Sequence, residues 1–164
     1  MSRIYNADEV FEIAEQIERD GHRFYVKAAE QTENPDVKSL LTDLAEMEED
    51  HEKLFHNMRA ELLESGGPQV VYDPDQQAPL YLQSTAETHV FNVHKDLAEV
   101  LTGEESAEEV LRIAIGFEKD TVVFFLGIKG LVPEDLGEEK IDWLIQQEMS
   151  HITTLTTQLR ALGD

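Results

Sequence analysis

The stretch LAEMEEDHEKLF, at residues 44–55, decides the fold of this chain because LIQQEMSHITTL repeats its pattern at residues 144–155. Both stretches contain Glu-x-x-His, and in both halves another glutamate stands 30 residues before that pattern. The repeated residues are Glu18, Glu48 and His51 in the first half and Glu118, Glu148 and His151 in the second. An internal repeat of this kind usually indicates two copies of one supersecondary unit packed together. Two half-sites of this composition can form one complete metal site.

Composition limits the classes of protein to which the chain can belong. Its 164 residues are enough for one domain with a hydrophobic core, and 41% of them are hydrophobic. The absence of cysteine excludes disulfides and thiolate metal sites. A formal net charge of −22 argues against nucleic acid and anionic membranes as partners. Neither a signal peptide nor a membrane-spanning run is recognisable, so we expect a soluble cytoplasmic protein.

Helix-start signals divide the chain into segments. They are the capping box Asn6-x-x-Glu9, the N-cap and first-turn proline Asn34-Pro35, and the capping box Ser106-x-x-Glu109. Gly130 and Pro133 are the corresponding stop signals for the helix that begins after Ser106. A fourth helix with the repeated pattern follows them. The signals predict two helix hairpins, one in each half of the chain.

Apolar residues in each of these helices recur at alternating spacings of four and three, which is typical of amphipathic helices. The stripe of the second helix includes Glu48 and His51, and that of the fourth includes Glu148 and His151. Charged side chains rarely occupy core positions without a partner, because an unpaired buried carboxylate is very costly. These polar residues on an apolar stripe therefore indicate a functional site.

The predicted fold is all-α, a four-helix bundle made of two hairpins in a single domain. The hairpins occupy residues 6–65 and 107–161, and the connection between them occupies residues 66–106. Glycine and proline open this connection, whereas its later part has helical spacing, which predicts one or two short helices. A bundle with one long crossover connection has the ferritin-like arrangement.

The spacing within each hairpin brings the repeated residues to one level. Glu18 and Glu48 are each 15 residues from the first turn, and Glu118 and Glu148 are equally far from the second. Because a helix rises about 1.5 Å per residue, each glutamate lies roughly 22 Å from its turn. A histidine three residues after a glutamate shares its helix face. Packing the hairpins through their apolar stripes then closes a cage of six side chains.

Such a cage suits a pair of metal ions. Four carboxylates in one core repel each other, and two divalent cations compensate their charge. Oxygen and imidazole ligands together favour iron or manganese, with zinc as a further alternative. The competing interpretation is that a duplication preserved the shape while metal binding was lost. The presence of all three side chains in both halves argues against that interpretation.

Tyr25 is the candidate catalytic side chain outside the six. It lies two helical turns after Glu18, and its hydroxyl can reach a carboxylate of the opposite hairpin, whereas the repeat has Phe125 at this position. A core tyrosine with another partner is the alternative. The remaining histidines, His22, His56, His89 and His94, and also Trp143, are most simply edge, surface or packing residues.

Four segments of the sequence together resemble the rubrerythrin-like branch of the ferritin-like superfamily. Two of them are the stretches quoted above, at residues 44–55 and 144–155. The other two are IAEQIERDGHRFYVKAA at residues 13–29 and IAIGFEKDTVVFF at residues 113–125. The resemblance implies a diiron-carboxylate site in which Glu18 and Glu118 are terminal ligands. Glu48 and Glu148 would bridge the two irons, and His51 and His151 would bind one iron each. The tyrosine that lies just outside the ligands in such proteins matches Tyr25.

The chain differs from this family in two respects. Full-length rubrerythrins carry a cysteine-rich rubredoxin domain that delivers electrons, and this chain has no cysteine. The family also has a further glutamate three residues after the third-helix ligand, linked to peroxide reduction, where this chain has Thr121. The resemblance therefore implies iron ligands more strongly than it implies peroxidase activity.

Three functions follow from these observations. The first is an oxidoreductase that reacts with peroxide or dioxygen and takes electrons from a separate donor protein. The second is an iron-binding or storage protein in which oxidation of ferrous iron is only the loading step. The third is a structural or regulatory module that keeps metal for stability. We also expect a homodimer, because the connection is long for a compact domain and can cover a partner or allow exchange of hairpins.

Overall fold

The computed structural model describes residues 6–66, 81, 84, 97–130, 132 and 134–163, and within them it confirms the all-α prediction. The long helices are α1 (Ala7–Gln31), α2 (Pro35–Glu64), α3 (Ala107–Lys129) and α4 (Glu134–Gly163). No β-strand is formed by these described residues. Helix α1 packs along α2 and α3 along α4, and the hairpins meet where α2 contacts α4 and α1 contacts α3.

The predicted N-caps are all present. Asn6 accepts a hydrogen bond from the Glu9 amide at 2.9 Å, and the Asn6 amide donates to the Glu9 carboxylate at 3.1 Å. Ser106 and Glu109 form the same reciprocal pair at the start of α3. The side chain of Asn34 accepts from two amides in the first turn of α2. Capping of this type satisfies amides that have no partner within the helix.

Gly137 interrupts α4 near its start. Its φ of +134° is a backbone conformation that side chains with a Cβ rarely adopt. A Cβ there would also lie 2.6 Å from Cε of Met58 on α2. Glycine is therefore required at this position both by the backbone and by the close approach of the neighbouring helix. The regular part of α4, which carries Glu148 and His151, follows this kink.

Aromatic rings contribute much of the core of the bundle. Phe55 lies between Phe11, at a ring-centroid distance of 6.2 Å, and Phe125, at 5.3 Å. Phe117 packs edge-on against Tyr25 at 6.4 Å. All these rings are buried, and so are the six polar side chains of the cage, which therefore lie inside the apolar core.

The described part of the connection contains helical residues, as the sequence predicts. Tyr81 and Ser84 are helical, and Leu97–Val100 forms a short 3-10 helix. Lys27 on α1 anchors that short helix by donating to the carbonyl oxygens of Ala98 and Leu101, at 2.7 and 2.8 Å. The helical spacing before it, and both His89 and His94, lie outside the described residues. No helix in the described ranges has the length and apolarity of a membrane span.

Candidate metal centre

The structure brings the six repeated residues together at the middle of the bundle. They form two groups whose ligand atoms lie within 4.8 Å of one another. The first group is Glu18, Glu48, His51 and Glu148, and the second is Glu48, Glu118, Glu148 and His151. Glu48 and Glu148 belong to both groups. The geometry therefore matches two adjacent cation positions with two carboxylates between them.

The two histidines each approach one oxygen of the shared residue Glu148. Nδ1 of His51 lies 2.8 Å from Oε1 of Glu148, and Nδ1 of His151 lies 2.9 Å from Oε2 of the same residue. The imidazole rings stack with their centroids 5.6 Å apart and their planes 13° from parallel. Glu148 thus stands between the histidines, as a ligand shared by two ions would.

The polar atoms of this cage satisfy a test for cation binding that is independent of its resemblance to other proteins. All six residues are buried, and most of their polar atoms have no hydrogen-bond partner among the described residues. The atoms without partners are both oxygens of Glu18, Glu48 and Glu148, Oε2 of Glu118, Nδ1 of His51 and both ring nitrogens of His151. Buried polar atoms are normally hydrogen-bonded, so a cluster of unsatisfied acceptors calls for ions. Oxygen and imidazole donors suit iron or manganese.

Burial and mutual repulsion change the proton affinity of the cage. Burial, followed by the charge of Glu148, raises the pKa of Glu18, Glu48 and Glu118 well above the ordinary value. Burial would also raise the pKa of Glu148, but the two close histidines outweigh it and lower that pKa. The carboxylates outweigh the effect of burial on His51 and His151 and raise the pKa of both. Without cations the cage therefore retains protons, which metal ions would displace.

Tyr25 reaches the site from α1 as the sequence suggested. Its hydroxyl donates a hydrogen bond to Oε1 of Glu118 on α3, in the opposite hairpin. Burial and the charge of Glu118 raise the pKa of Tyr25 well above the ordinary value, so the hydroxyl keeps its proton and remains a donor. Phe125 replaces this hydroxyl in the repeat, so the two ends of the cage differ chemically.

Of the remaining histidines in the described residues, neither belongs to the cage. Nδ1 of His22 lies 2.8 Å from the carbonyl oxygen of Ala45 and thereby links α1 to α2. His56 is exposed on α2, with Nδ1 3.5 Å from Oε1 of Glu15. Both positions agree with their interpretation as edge and surface residues.

Trp143 has a position that the sequence did not reveal. We expected a packing residue, but half of this side chain is exposed. Its ring stands edge-on to His51, with centroids 5.7 Å apart and planes at 84°. It borders a shallow surface depression with Asp50, Leu54, Glu139 and Lys140. Trp143 thus separates a buried site residue from solvent, and no periodicity indicates such a role.

Comparisons with known proteins agree with this geometry. A family model described as rubrerythrin matches residues 1–59. A crystal structure from Thermotoga maritima, titled as that of a ferritin-like diiron-carboxylate protein, is similar over 98% of this chain and 98% of its own, with a TM-score of 0.71 and 26% identity. The chain has the ferritin-like fold, and its N-terminal part is similar to rubrerythrin. No curated protein matches its sequence.

The two matches cover different parts of the candidate site. The rubrerythrin model covers the half of the cage contributed by α1 and α2, together with Tyr25. The structural match extends over both hairpins and therefore includes α3 and α4, which complete the cage. The 164 residues of this chain contain no cysteine from which a rubredoxin-type iron site could be built.

Proposed function

We propose that the protein is a diiron-carboxylate oxidoreductase that reacts with peroxide or dioxygen and receives electrons from a separate donor protein. The observation that carries this proposal is the set of buried carboxylate and imidazole atoms without hydrogen-bond partners, arranged as two overlapping groups. Such a set is costly unless cations occupy it. Two iron ions are the cofactor that fits it best, with manganese and zinc as alternatives.

Each residue of the cage has a distinct role in this proposal. Glu48 and Glu148 would be shared by the two ions, because they alone belong to both groups. Glu18 and His51 complete one position, and Glu118 and His151 complete the other. Iron in such a site supplies the redox chemistry by cycling between its ferrous and ferric states. The protein fixes the ligand geometry and keeps bulk water away.

The residues around the cage help to fix the ligand geometry and to keep bulk water away. The hydroxyl of Tyr25 orients Glu118 by donating a hydrogen bond to it, and the raised pKa of Tyr25 keeps the proton on the phenol oxygen. The rings of Phe55, Phe117 and Phe125 are buried in the same core as the ligands, and a core of low polarity strengthens electrostatic interactions among the ligands. A fixed ligand set in a dry core is the contribution that proteins make to this class of cofactor.

A non-enzymatic role in iron binding or storage is the second candidate. Thr121 favours it, because this buried residue offers only a neutral hydroxyl, which donates to the carbonyl oxygen of Phe117 at 3.1 Å. A neutral group adds no negative charge to compensate a ferric ion. The chain also lacks cysteine for an electron-transfer centre of its own. Either function would operate in the cytoplasm and in a homodimer, which stay predictions from the sequence.

Reaction of the diferrous protein with each oxidant distinguishes the two candidates. Stopped-flow absorption records oxidation by peroxide and by dioxygen, and an artificial reductant then tests for repeated turnover. Oxidation that repeats with reductant and stays at the loaded iron content supports the oxidoreductase. Ferric iron that accumulates beyond that content supports storage. Failure of both oxidants to oxidise the bound iron contradicts the oxidoreductase and leaves metal storage or a structural role. Glu48→Gln serves as the control for iron outside the cage.

A further inference from the structure

Gly21 lies where α1 passes closest to the cage. It is buried in the middle of the helix, one turn after Glu18. A Cβ at this position would lie 2.8 Å from Oε2 of Glu48 and 2.9 Å from Cε1 and Cζ of Phe117. Distances below 3.0 Å are essentially never observed for a real Cβ. The space that a side chain would need is therefore taken by a carboxylate of the cage and by an aromatic ring.

Local structure gives no other reason for glycine here. Glycine destabilises a helix interior relative to alanine, and Gly21 has ordinary helical geometry, unlike Gly137. Gly116 on α3 provides the contrast, because a Cβ there would meet nothing within 4 Å. The requirement at Gly21 thus comes from its neighbours on α2 and α3.

Only one of the two repeated halves has a glycine at this position. The position equivalent to Gly21 in the second half is Thr121, a buried residue with a full side chain. The two halves therefore differ next to their ligands. Glu48, which approaches Gly21, is also one of the two carboxylates shared by both groups.

We propose that Gly21 is a positioning residue that allows Glu48 to reach between the two metal positions. This inference rests on the proposed function, because it assigns Glu48 to both ions. The missing side chain lets Oε2 of Glu48 enter the space beside α1 while its other oxygen faces His151, whose Nδ1 is 3.2 Å away. A methyl group at Gly21 would displace this shared ligand and so weaken both metal positions.

The test compares Gly21→Ala with Gly116→Ala, using Co²⁺ as a spectroscopic substitute for Fe²⁺. Both substitutions raise helix propensity, but only the first adds atoms next to a ligand. The wild type and Gly116→Ala should bind Co²⁺ with the same affinity and ligand-field spectrum. Gly21→Ala should bind both ions about 10- to 100-fold more weakly and with an altered spectrum, as expected when a supporting contact of a ligand is changed. Wild-type affinity and spectrum in Gly21→Ala would overturn the inference.

A second pair of variants separates the carboxylate from the ring. Phe117→Leu shortens the ring side chain, so Phe117→Leu with Gly21→Ala leaves mainly the clash with Glu48. Weaker Co²⁺ binding by the double variant than by Phe117→Leu alone supports the inference, even if Gly21→Ala by itself does not fold. Equal binding by this pair would show that only the ring needs the space, which overturns it. A folded wild type that binds no Co²⁺ contradicts the proposed function and this inference together.

Discussion

Tyr25 on α1 donates its hydroxyl to Glu118 on α3 and so joins the two hairpins through a residue of the cage. The equivalent position in the other half holds Phe125, which has no hydroxyl, so Glu18 lacks the corresponding donor. Neither oxygen of Glu18 has a hydrogen-bond partner among the described residues. The two candidate metal positions therefore have the same types of side chain but differ in how those side chains are supported.

Replacing Tyr25 with phenylalanine should make the two halves more alike and weaken the second position. Loss of the donor leaves Oε1 of Glu118 without its partner, which should lower the free energy of unfolding by about 1–3 kcal/mol. Chemical denaturation of the metal-free protein measures this change. Tyr81→Phe is the matched control, because the Tyr81 hydroxyl donates to the carbonyl oxygen of Val123, outside the cage. Equal effects of the two substitutions would contradict the role given to Tyr25.

Metal should stabilise the fold through the shared carboxylates. A ligand that binds only the native state raises its stability by mass action. Glu48→Gln should remove most of the difference in melting temperature between metal-loaded and chelated protein. Glu49→Gln should preserve that difference, since Glu49 is exposed and its Oε1 lies 3.3 Å from Nζ of Lys53, outside the cage. Unchanged metal stabilisation in Glu48→Gln would place the ions elsewhere.

The metal-free protein should lose stability as the pH rises. The folded pKa values of Glu18, Glu48 and Glu118 lie above the ordinary value of 4.5, so the folded state binds more protons than the unfolded state between those values. Such groups stabilise the fold at low pH, and their contribution is lost as the pH rises through the folded pKa. The raised pKa of His151 also makes stability fall with rising pH, at pH values above 6.5. The lowered pKa of Glu148 affects stability only below pH 4.5.

Denaturation between about pH 5.5 and about pH 8 measures this dependence. Stability of the chelated protein should fall across the range, whereas the metal-loaded protein should gain relative to it, because metal competes with protons for the same atoms. Parallel pH profiles for the two forms would contradict the assignment of the titrating groups to the cage.

Trp143 should slow the exchange of metal with solvent. Removing the ring in Trp143→Ala uncovers the edge of His51, which is only 3% exposed in the wild type. We expect several-fold faster transfer of Co²⁺ to a chelator, because the apolar surroundings of a metal site control solvent access. Leu126→Ala is the control, as this residue is exposed on α3 and is not among the cage residues. An unchanged release rate would mean that solvent reaches the site by another route.

The fold and the cage were largely predictable because both depend on regular spacing. Capping residues such as Asn6 and Ser106 act within one helical turn, and the stripe that contains Glu48 and His51 follows from the helical period. The level of the ligands followed from equal distances to the turns. The physical determinants of these features lie within single helices or single hairpins.

The features that escaped prediction depend on how separate helices approach one another. Gly21 contacts groups from α2 and α3, and Trp143 on α4 covers a ring from α2. Neither contact alters the local pattern of apolar residues. The internal repeat gives one indication of the close contact at Gly21, since Gly21 and Thr121 are equivalent but differ in size. The position equivalent to Trp143 in the first half is Asp43. The difference between an aspartate and a tryptophan does not indicate which side chain the ring would cover.

The central claim is that the six repeated residues bind two iron ions. Anaerobic loading with ferrous iron, removal of unbound iron and metal analysis test it most directly, with Mössbauer spectroscopy to identify coupled iron pairs. We expect about two iron ions per folded chain, as in other four-helix carboxylate sites of this design, and a loss of both in Glu48→Gln. A folded wild-type protein that retains no iron, or that retains the same amount after Glu48→Gln, would contradict the account.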